Sequence, residues 1–228
     1  LLSEFNTHLI TTKINNLERR KCMKTDKEQV LDFLSIMTTQ INEFISNIDY
    51  SQLTKAKELI LSAEADKNRV HVTGIGKPGH VSGYAASLLS STGTPAYELH
   101  GTEAVHGSSG QVLPGDVVIA ISNSGETSEL KATVTTLKNN GAKIISVTGN
   151  GNSWLAQQGD AVLVAGVKQE GDSMNKPPRA SIIVEELILQ SLSVLLQNEK
   201  QLTPNEYVKW HPGGSLGESI LKKQKEGN

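Results

Sequence analysis

Five short runs of aliphatic and β-branched residues, at 70–73, 96–99, 117–122, 144–148 and 161–165, constrain the fold of this chain more than any other feature. Val70-His71-Val72-Thr73 is representative, since it stops abruptly at Gly74. Runs that are apolar throughout, rather than on alternate residues, suit strands buried on both faces. Segments of helical character lie between most of them, at 78–91, 128–139 and 153–158. Strands alternating with helices close through right-handed crossovers, so the pattern predicts an α/β fold with a parallel sheet covered on both sides. Ahead of the sheet, Val30, Phe33, Leu34, Met37, Ile41, Phe44, Ile45 and Ile48 recur at helical spacing, and Asp49 and Tyr50 mark a break, which predicts two helices over 26–65. Two more helices, at 180–197 and 204–210, close the domain.

Composition narrows the partners. A chain of 228 residues with 37% hydrophobic content buries one substantial core, which makes one domain the expectation. A formal net charge of -2 and a pI near 6.3 give no overall attraction to nucleic acid or to an anionic membrane. An anionic ligand must therefore be captured by local geometry. Cys22 is the only cysteine, which excludes a disulfide framework within the chain and a Cys-based zinc cluster and fits a reducing compartment, the cytoplasm. The most apolar stretch, 180–196, is interrupted by Glu185, Glu186 and Gln190, so it reads as a buried helix and not a membrane span. Lys13, Arg19, Arg20 and Lys21 are not followed by the apolar core of a secretion signal. Residues 1–24 read as an N-terminal extension and 25–228 as the domain, including its N-terminal and closing helices. There is no internal repeat, and the longest irregular stretch is 167–179, a length that often carries function.

Open α/β sheets bind ligands beyond the carboxyl ends of their strands, so the loops there carry the chemistry. After the third strand the chain reads Ser122-Asn123-Ser124-Gly125-Glu126-Thr127-Ser128-Glu129 and turns helical. Hydroxyls and free backbone N–H groups at the positive end of a helix dipole hold a phosphate without a basic surface. The plain alternative is an ordinary helix cap with solvated serines. After the first strand, Gly74-Ile75-Gly76-Lys77-Pro78-Gly79-His80 formally meets the dinucleotide fingerprint, and Glu98 stands where a ribose-binding acid would be expected. The lysine inside the turn and the second phosphate loop weigh against that reading. Lys77 suits a developing enolate oxygen, although loop lysines are usually just exposed. His100, Glu103 and His106 have the chemistry of metal ligands, but over this spacing they more often include surface residues, and no required metal or cofactor is expected. Glu170 follows the fifth strand, and His211 opens His211-Pro212-Gly213-Gly214-Ser215-Leu216-Gly217; taken singly, each reads as a solvated loop or turn residue.

Taken together and in order, five motifs resemble the SIS, or sugar isomerase, domain, and within it the arabinose-5-phosphate isomerase family. They are Gly-Ile-Gly-Lys-Pro-Gly-His at 74–80, Ser-Thr-Gly-Thr-Pro-Ala at 91–96, Glu-Ala-Val-His-Gly at 103–107, Ser-Asn-Ser-Gly-Glu-Thr at 122–127 and His-Pro-Gly-Gly-Ser-Leu-Gly at 211–217. The resemblance overturns the dinucleotide reading. It implies a three-layer αβα sandwich with a five-stranded parallel sheet, and a homo-oligomer, commonly a tetramer, with active sites near subunit contacts. It also implies that Ser122, Ser124 and Thr127, with Gly76, bind the phosphate of a small phosphosugar. Lys77, His106, Glu129, Glu170 and His211 match the catalytic set. An aldose–ketose exchange through an enediol needs a base, an acid for ring opening and a cation for the oxyanion, which suits Glu170 for proton transfer, His211 for ring opening and His106 as orienting partner.

Two departures accompany the match. Family members often carry two CBS regulatory domains after the isomerase domain, whereas this chain stops at Asn228, so no built-in nucleotide regulation is expected. It also reads Asn175-Lys176-Pro177-Pro178-Arg179-Ala180-Ser181 where the family usually has a hydroxyl-rich run entering the helix, which bears on substrate choice. Beside arabinose 5-phosphate/ribulose 5-phosphate isomerisation stand two alternatives, a non-catalytic SIS regulator that binds a sugar phosphate and a related phosphohexulose isomerase. The regulator is disfavoured because a sensor has no need of Lys77, Glu170 and His211 together.

Overall fold

The computed structural model describes residues 24–213. The extension expected over 1–24, all but its last residue, lies outside the described residues, as do Cys22 and the 214–217 end of the last motif. In chain order the elements are α1 (Asp26–Ser46), α2 (Tyr50–Ala65), β1 (Val70–Gly74), α3 (Lys77–Ser91), β2 (Ala96–Glu98), a short α4 (Gly101–Ala104), a 3-10 turn (Ser108–Gln111), β3 (Val117–Ile121), α5 (Ser128–Asn139), β4 (Lys143–Thr148), α6 (Trp154–Gln158), β5 (Ala161–Val164), α7 (Ala180–Glu199) and α8 (Pro204–Trp210). Local chemistry sets several of these boundaries. Thr25 and Glu28 form a reciprocal capping box at the start of α1, and Thr203 and Glu206 form another ahead of α8. Asp49 accepts hydrogen bonds from the Ser51 and Gln52 backbone N–H groups, so the break expected there is the cap of α2.

The five strands are parallel, in the order β2-β1-β3-β4-β5. Alternate residues serve two cores, as the pleat requires. Val72, Ile119, Ile121, Val147 and Leu163 face α2, α3 and α7, meeting Ile60, Leu89, Val184 and Leu192. Val118, Ala120 and Ile144 face α5 and α6, meeting Leu130, Val134, Leu137 and Leu155. This is the three-layer sandwich expected from the alternating runs. Helix α1 lies outside α7 and sends Phe44 into the first core. By length and composition α7 is apolar enough to cross a membrane, but half of that stretch is buried inside the fold, as suits a core helix.

The amino end of the sheet is held by one carboxylate. Asp116, buried just before β3, accepts from the Arg69 backbone N–H (2.8 Å), the Leu113 backbone N–H (2.8 Å) and His71 Nε2 (3.3 Å). Burial pushes the His71 imidazole below its ordinary value and outweighs the opposing pull of Asp116, so the contact is a hydrogen bond from a neutral ring. Replacing Asp116 by Ala removes the acceptor of two part-buried backbone donors and of the buried His71 ring. Asp116→Ala is expected to lower the unfolding free energy by at least about 2 kcal/mol in denaturant melts, with ligand binding at the far end of the sheet retained in the folded fraction.

Candidate active site at the carboxyl edge of the sheet

The crossover from β1 runs outward to β2, whereas the chain leaving β3 turns towards β4. With strand order 2-1-3-4-5, the loops after β1 and β3 therefore part and open a crevice between them. The first loop carries Gly74, Gly76 and Lys77. Gly74 is required by close packing, since a Cβ there would lie 2.7 Å from the Pro78 carbonyl carbon. Gly76 has a positive φ of 68° and starts α3 with no side-chain cap, which leaves Lys77 exposed in the first turn. A cavity of about 180 Å³ lies beside this loop, lined by Gly74, Gly76, His80, Glu98, His100 and Thr102.

The second loop is the hydroxyl-rich turn. Ser122 is buried, and its Oγ accepts from the Gly125 backbone N–H (3.1 Å) and lies 3.2 Å from Thr127 Oγ1. Thr127 is the N-cap residue of α5 but its hydroxyl caps nothing, so the first-turn N–H groups of α5 have no hydrogen bond from it. Ser124 Oγ accepts from the Glu126 N–H (3.2 Å). Glu129, in the first turn of α5, is exposed; hydrogen bonds from its own backbone N–H and from the Ser128 hydroxyl hold its carboxyl below the usual range. Gly125 is the geometric key to this turn, with φ of 66° and no room for a Cβ, which would fall 2.1 Å from Ser153 Oγ.

Glu170 sits in the irregular stretch between β5 and α7 and is 8% exposed. Its Oε2 accepts from the backbone N–H groups of Arg179 (2.7 Å) and Ser181 (3.1 Å), capping α7 from a distance in sequence. Both donors meet one oxygen, which leaves Oε1 for chemistry. The loop is pinned on either side. Gln40 of α1 accepts from the N–H groups of Lys168 and Gln169, Asn175 accepts from the Glu170 N–H, and the Arg179 guanidinium pairs with Asp172. Arg179 thus joins the frame around Glu170 through both its backbone and its side chain.

His106 follows α4, at the same end of the sheet; it is exposed. The Thr133 hydroxyl of α5 donates to the Gly101 carbonyl of α4, which ties that segment to the helix carrying Glu129. His100 Nδ1 lies 3.0 Å from Thr102 Oγ1, and among the described residues no group of three or more His, Cys, Asp or Glu has the arrangement to hold a metal ion.

His211 is the exception within the chain. It ends α8, stacked on Tyr207 with ring centroids 4.1 Å apart, and Nδ1 lies 3.2 Å from the Tyr207 carbonyl. A carbonyl only accepts, so Nδ1 is the donor in this contact. The neighbouring Trp210 ring rests against Gly93, beyond the last turn of α3, whereas Lys77 opens the first turn. Fifteen helical residues separate those ends, about 22 Å at 1.5 Å per residue. One chain therefore gathers Lys77, Ser122, Ser124, Thr127, Glu129, His106 and Glu170 on loops at the carboxyl side and holds His211 at the opposite end. Within a single chain His211 thus lies away from Lys77, and the resemblance had set the active sites near subunit contacts.

Sequence reading passed over Glu185, noting it only as an interruption of an apolar run. It is fully buried on α7, and burial, reinforced by the charges of Glu170 and Glu186, pushes its carboxyl up to about 8. The signal was available, since an acid in an otherwise apolar helix must be used or neutral.

Two outcomes follow from this geometry. Gly125→Ala is expected to distort the 122–128 turn and abolish calorimetric binding of a phosphate-bearing ligand, while Ser124→Ala, in the same turn but exposed, weakens it only partly. In the unfolded chain Glu185 ionises near 4.5, whereas the folded chain keeps its proton up to about 8. Stability is therefore lost as pH rises between those values, and the gain in melting temperature of Glu185→Leu over the parent chain should grow across that window.

The comparisons with known proteins agree with this architecture. The SIS domain model matches residues 65–179. Over 188 residues, 82% of the chain, it is 37% identical to the Escherichia coli arabinose 5-phosphate isomerase KpsF. Over 169 residues, 74% of the chain, it is 41% identical to the Pseudomonas aeruginosa arabinose 5-phosphate isomerase KdsD. The chain spans 57% and 51% of the lengths of those two relatives. A solved structure from E. coli CFT073, in complex with arabinose 5-phosphate, superposes with a TM-score of 0.77 at 33% identity, covering 83% of this chain and all of that one. With its five parallel strands and these matches, the chain belongs to the SIS domain family.

Proposed function

We propose that the chain is an aldose–ketose isomerase of a small sugar phosphate, with arabinose 5-phosphate and ribulose 5-phosphate as the first pair to test. The observation that carries this reading is the crevice itself. An uncapped, hydroxyl-lined helix start at 122–128 follows β3 and a lysine-bearing turn follows its neighbour β1 at the sheet's switch point, in a chain 37% and 41% identical to arabinose 5-phosphate isomerases. On this reading Ser122, Ser124, Thr127 and the α5 N–H groups take the phosphate, with the Gly76 turn opposite. Lys77 neutralises the enediolate oxygen. Glu170 Oε1 removes the proton from C2 of the open-chain aldose and returns it to C1, while the hydroxyl proton moves from O2 to O1, so the product is the ketose with no net gain or loss. Glu129 and His106 flank the sugar as carboxylate and orienting imidazole.

His211 opens the sugar ring, and since it lies about 22 Å along α3 from the Lys77 turn, it acts in this scheme from a second copy of the chain. That makes the working form a homo-oligomer, proposed as a tetramer. We place it in the cytoplasm, with residues 25–228 as the catalytic unit and 1–24 as an extension.

Glu170→Gln and His211→Ala should each abolish turnover in a coupled assay while calorimetric binding of the phosphosugar persists; loss on the order of 10²–10⁴-fold is what a positioned acid or base contributes. Chains of the two variants, co-expressed, should regain activity that neither has alone. Undiminished turnover in both single variants refutes the catalytic assignment, and absence of complementation refutes the shared site. A screen against arabinose-, ribulose-, fructose- and hexulose-phosphates identifies the sugar, and binding without turnover on any of them would make the chain a sensor.

A further inference from the structure

Near the Glu170 carboxylate, at the start of α7, lie buried polar side chains that the proposed reaction does not use. Glu185 is fully buried on α7 between the core residues Val184 and Ile188. Neither of its carboxyl oxygens has a hydrogen-bond partner among the described residues, and neither has the buried Ser181 hydroxyl one turn earlier. Buried polar atoms are nearly always paired, so three unpaired oxygens within two turns of one helix call for an explanation.

Their position supplies it. Residues four apart share a helix face, and helical side chains lean towards the N-terminus, so Glu185 is directed over Ser181 at the start of α7. The Ser181 backbone N–H donates to Glu170 Oε2 (3.1 Å), which brings the Glu170 carboxylate to the same turn. Helices α1, α2 and α3 pack on α7, yet among the described residues the charged groups acting on Glu185 are Glu170 from the preceding loop and Glu186 from its own helix, both acidic. Burial and those charges push Glu185 up to about 8, so at neutral pH it is an undissociated acid with a proton to donate. Two neighbouring carboxyls in different protonation states are a recurring way of dividing labour in a site.

We propose that Glu185 is a positioning residue for the reaction, acting with Ser181 as a buried donor pair that orients the Glu170 carboxylate through one water and keeps a second negative charge away from it. This rests on Glu170 being the group that moves the substrate proton. Glu186, the other acid in the run, is half-buried and has no such role.

The test compares Glu185→Gln, which keeps shape and a donor, with Glu185→Leu, which keeps bulk alone. The parent enzyme should lose kcat on the alkaline side with a midpoint near the Glu185 ionisation, about 8, at constant KM. Glu185→Gln should restore a flat alkaline limb, and Glu185→Leu should lose kcat by about tenfold, the factor carried by one unit of protonation equilibrium, with KM within about twofold. An alkaline limb unchanged in Glu185→Gln, or full kcat in Glu185→Leu, overturns the proposal. Infrared titration reads the same coupling without turnover. The carboxylic-acid carbonyl stretch of the parent at neutral pH should vanish in Glu185→Gln, and its titration should move to lower pH in Glu170→Gln. If no phosphosugar is turned over, the isomerase reading fails, while an acid stretch unmoved in Glu170→Gln is what overturns the pairing.

Discussion

A parallel sheet buried on both faces can offer chemistry only at its ends, and everything functional about this chain follows from that restriction. Strand side chains are committed to the two cores, Val72, Ile119 and Val147 on one side and Val118 and Ile144 on the other. Polar groups that must meet a ligand are pushed into the loops beyond the strand ends, where backbone N–H groups are also free. The order β2-β1-β3-β4-β5 then decides which loops separate, and it opens the crevice between the Gly76-Lys77 turn and the 122–128 turn.

The two ends of the sheet are built on different principles. At the amino end, Asp116 gathers two backbone donors and a neutral imidazole, whose Nδ1 is buried without a hydrogen-bond partner among the described residues. At the carboxyl end, hydrogen-bonding capacity is left incomplete: Thr127 caps nothing, Glu170 spends one oxygen on α7, and Glu185 and Ser181 have no partners among the described residues. Unsatisfied polar groups reduce stability, so each of them carries a cost that the fold bears. Glu170 joins both themes. It fastens the loop to α7 and presents a fixed carboxylate from a chain segment with no regular structure.

Much of this organisation was readable from residues alone. The continuous apolar runs located every strand, Asp49 located the break between the first helices, and the Ser-rich turn before 128 was recognised as a helix start with spare hydroxyls. His211 shows where such reading stops. Its motif sits with the others in sequence, yet α8 folds against Gly93 and carries it to the far side of the chain. Arg179 looked like the loss of a hydroxyl, whereas the structure makes it a strut, paired with Asp172 and donating its backbone N–H to Glu170. Glu185 was visible only as a blemish in an apolar helix.

The sequence by itself determined the elements, their order, the class of sheet and the chemical types available at each loop, because periodicity, capping and turn chemistry act between residues close along the chain. Only the tertiary structure decided which groups meet. The capping of α7 by Glu170, the depth at which Glu185 lies and the separation of His211 from Lys77 all depend on how helices pack across the sheet, and packing joins residues whose distance in sequence carries no signal of their distance in space.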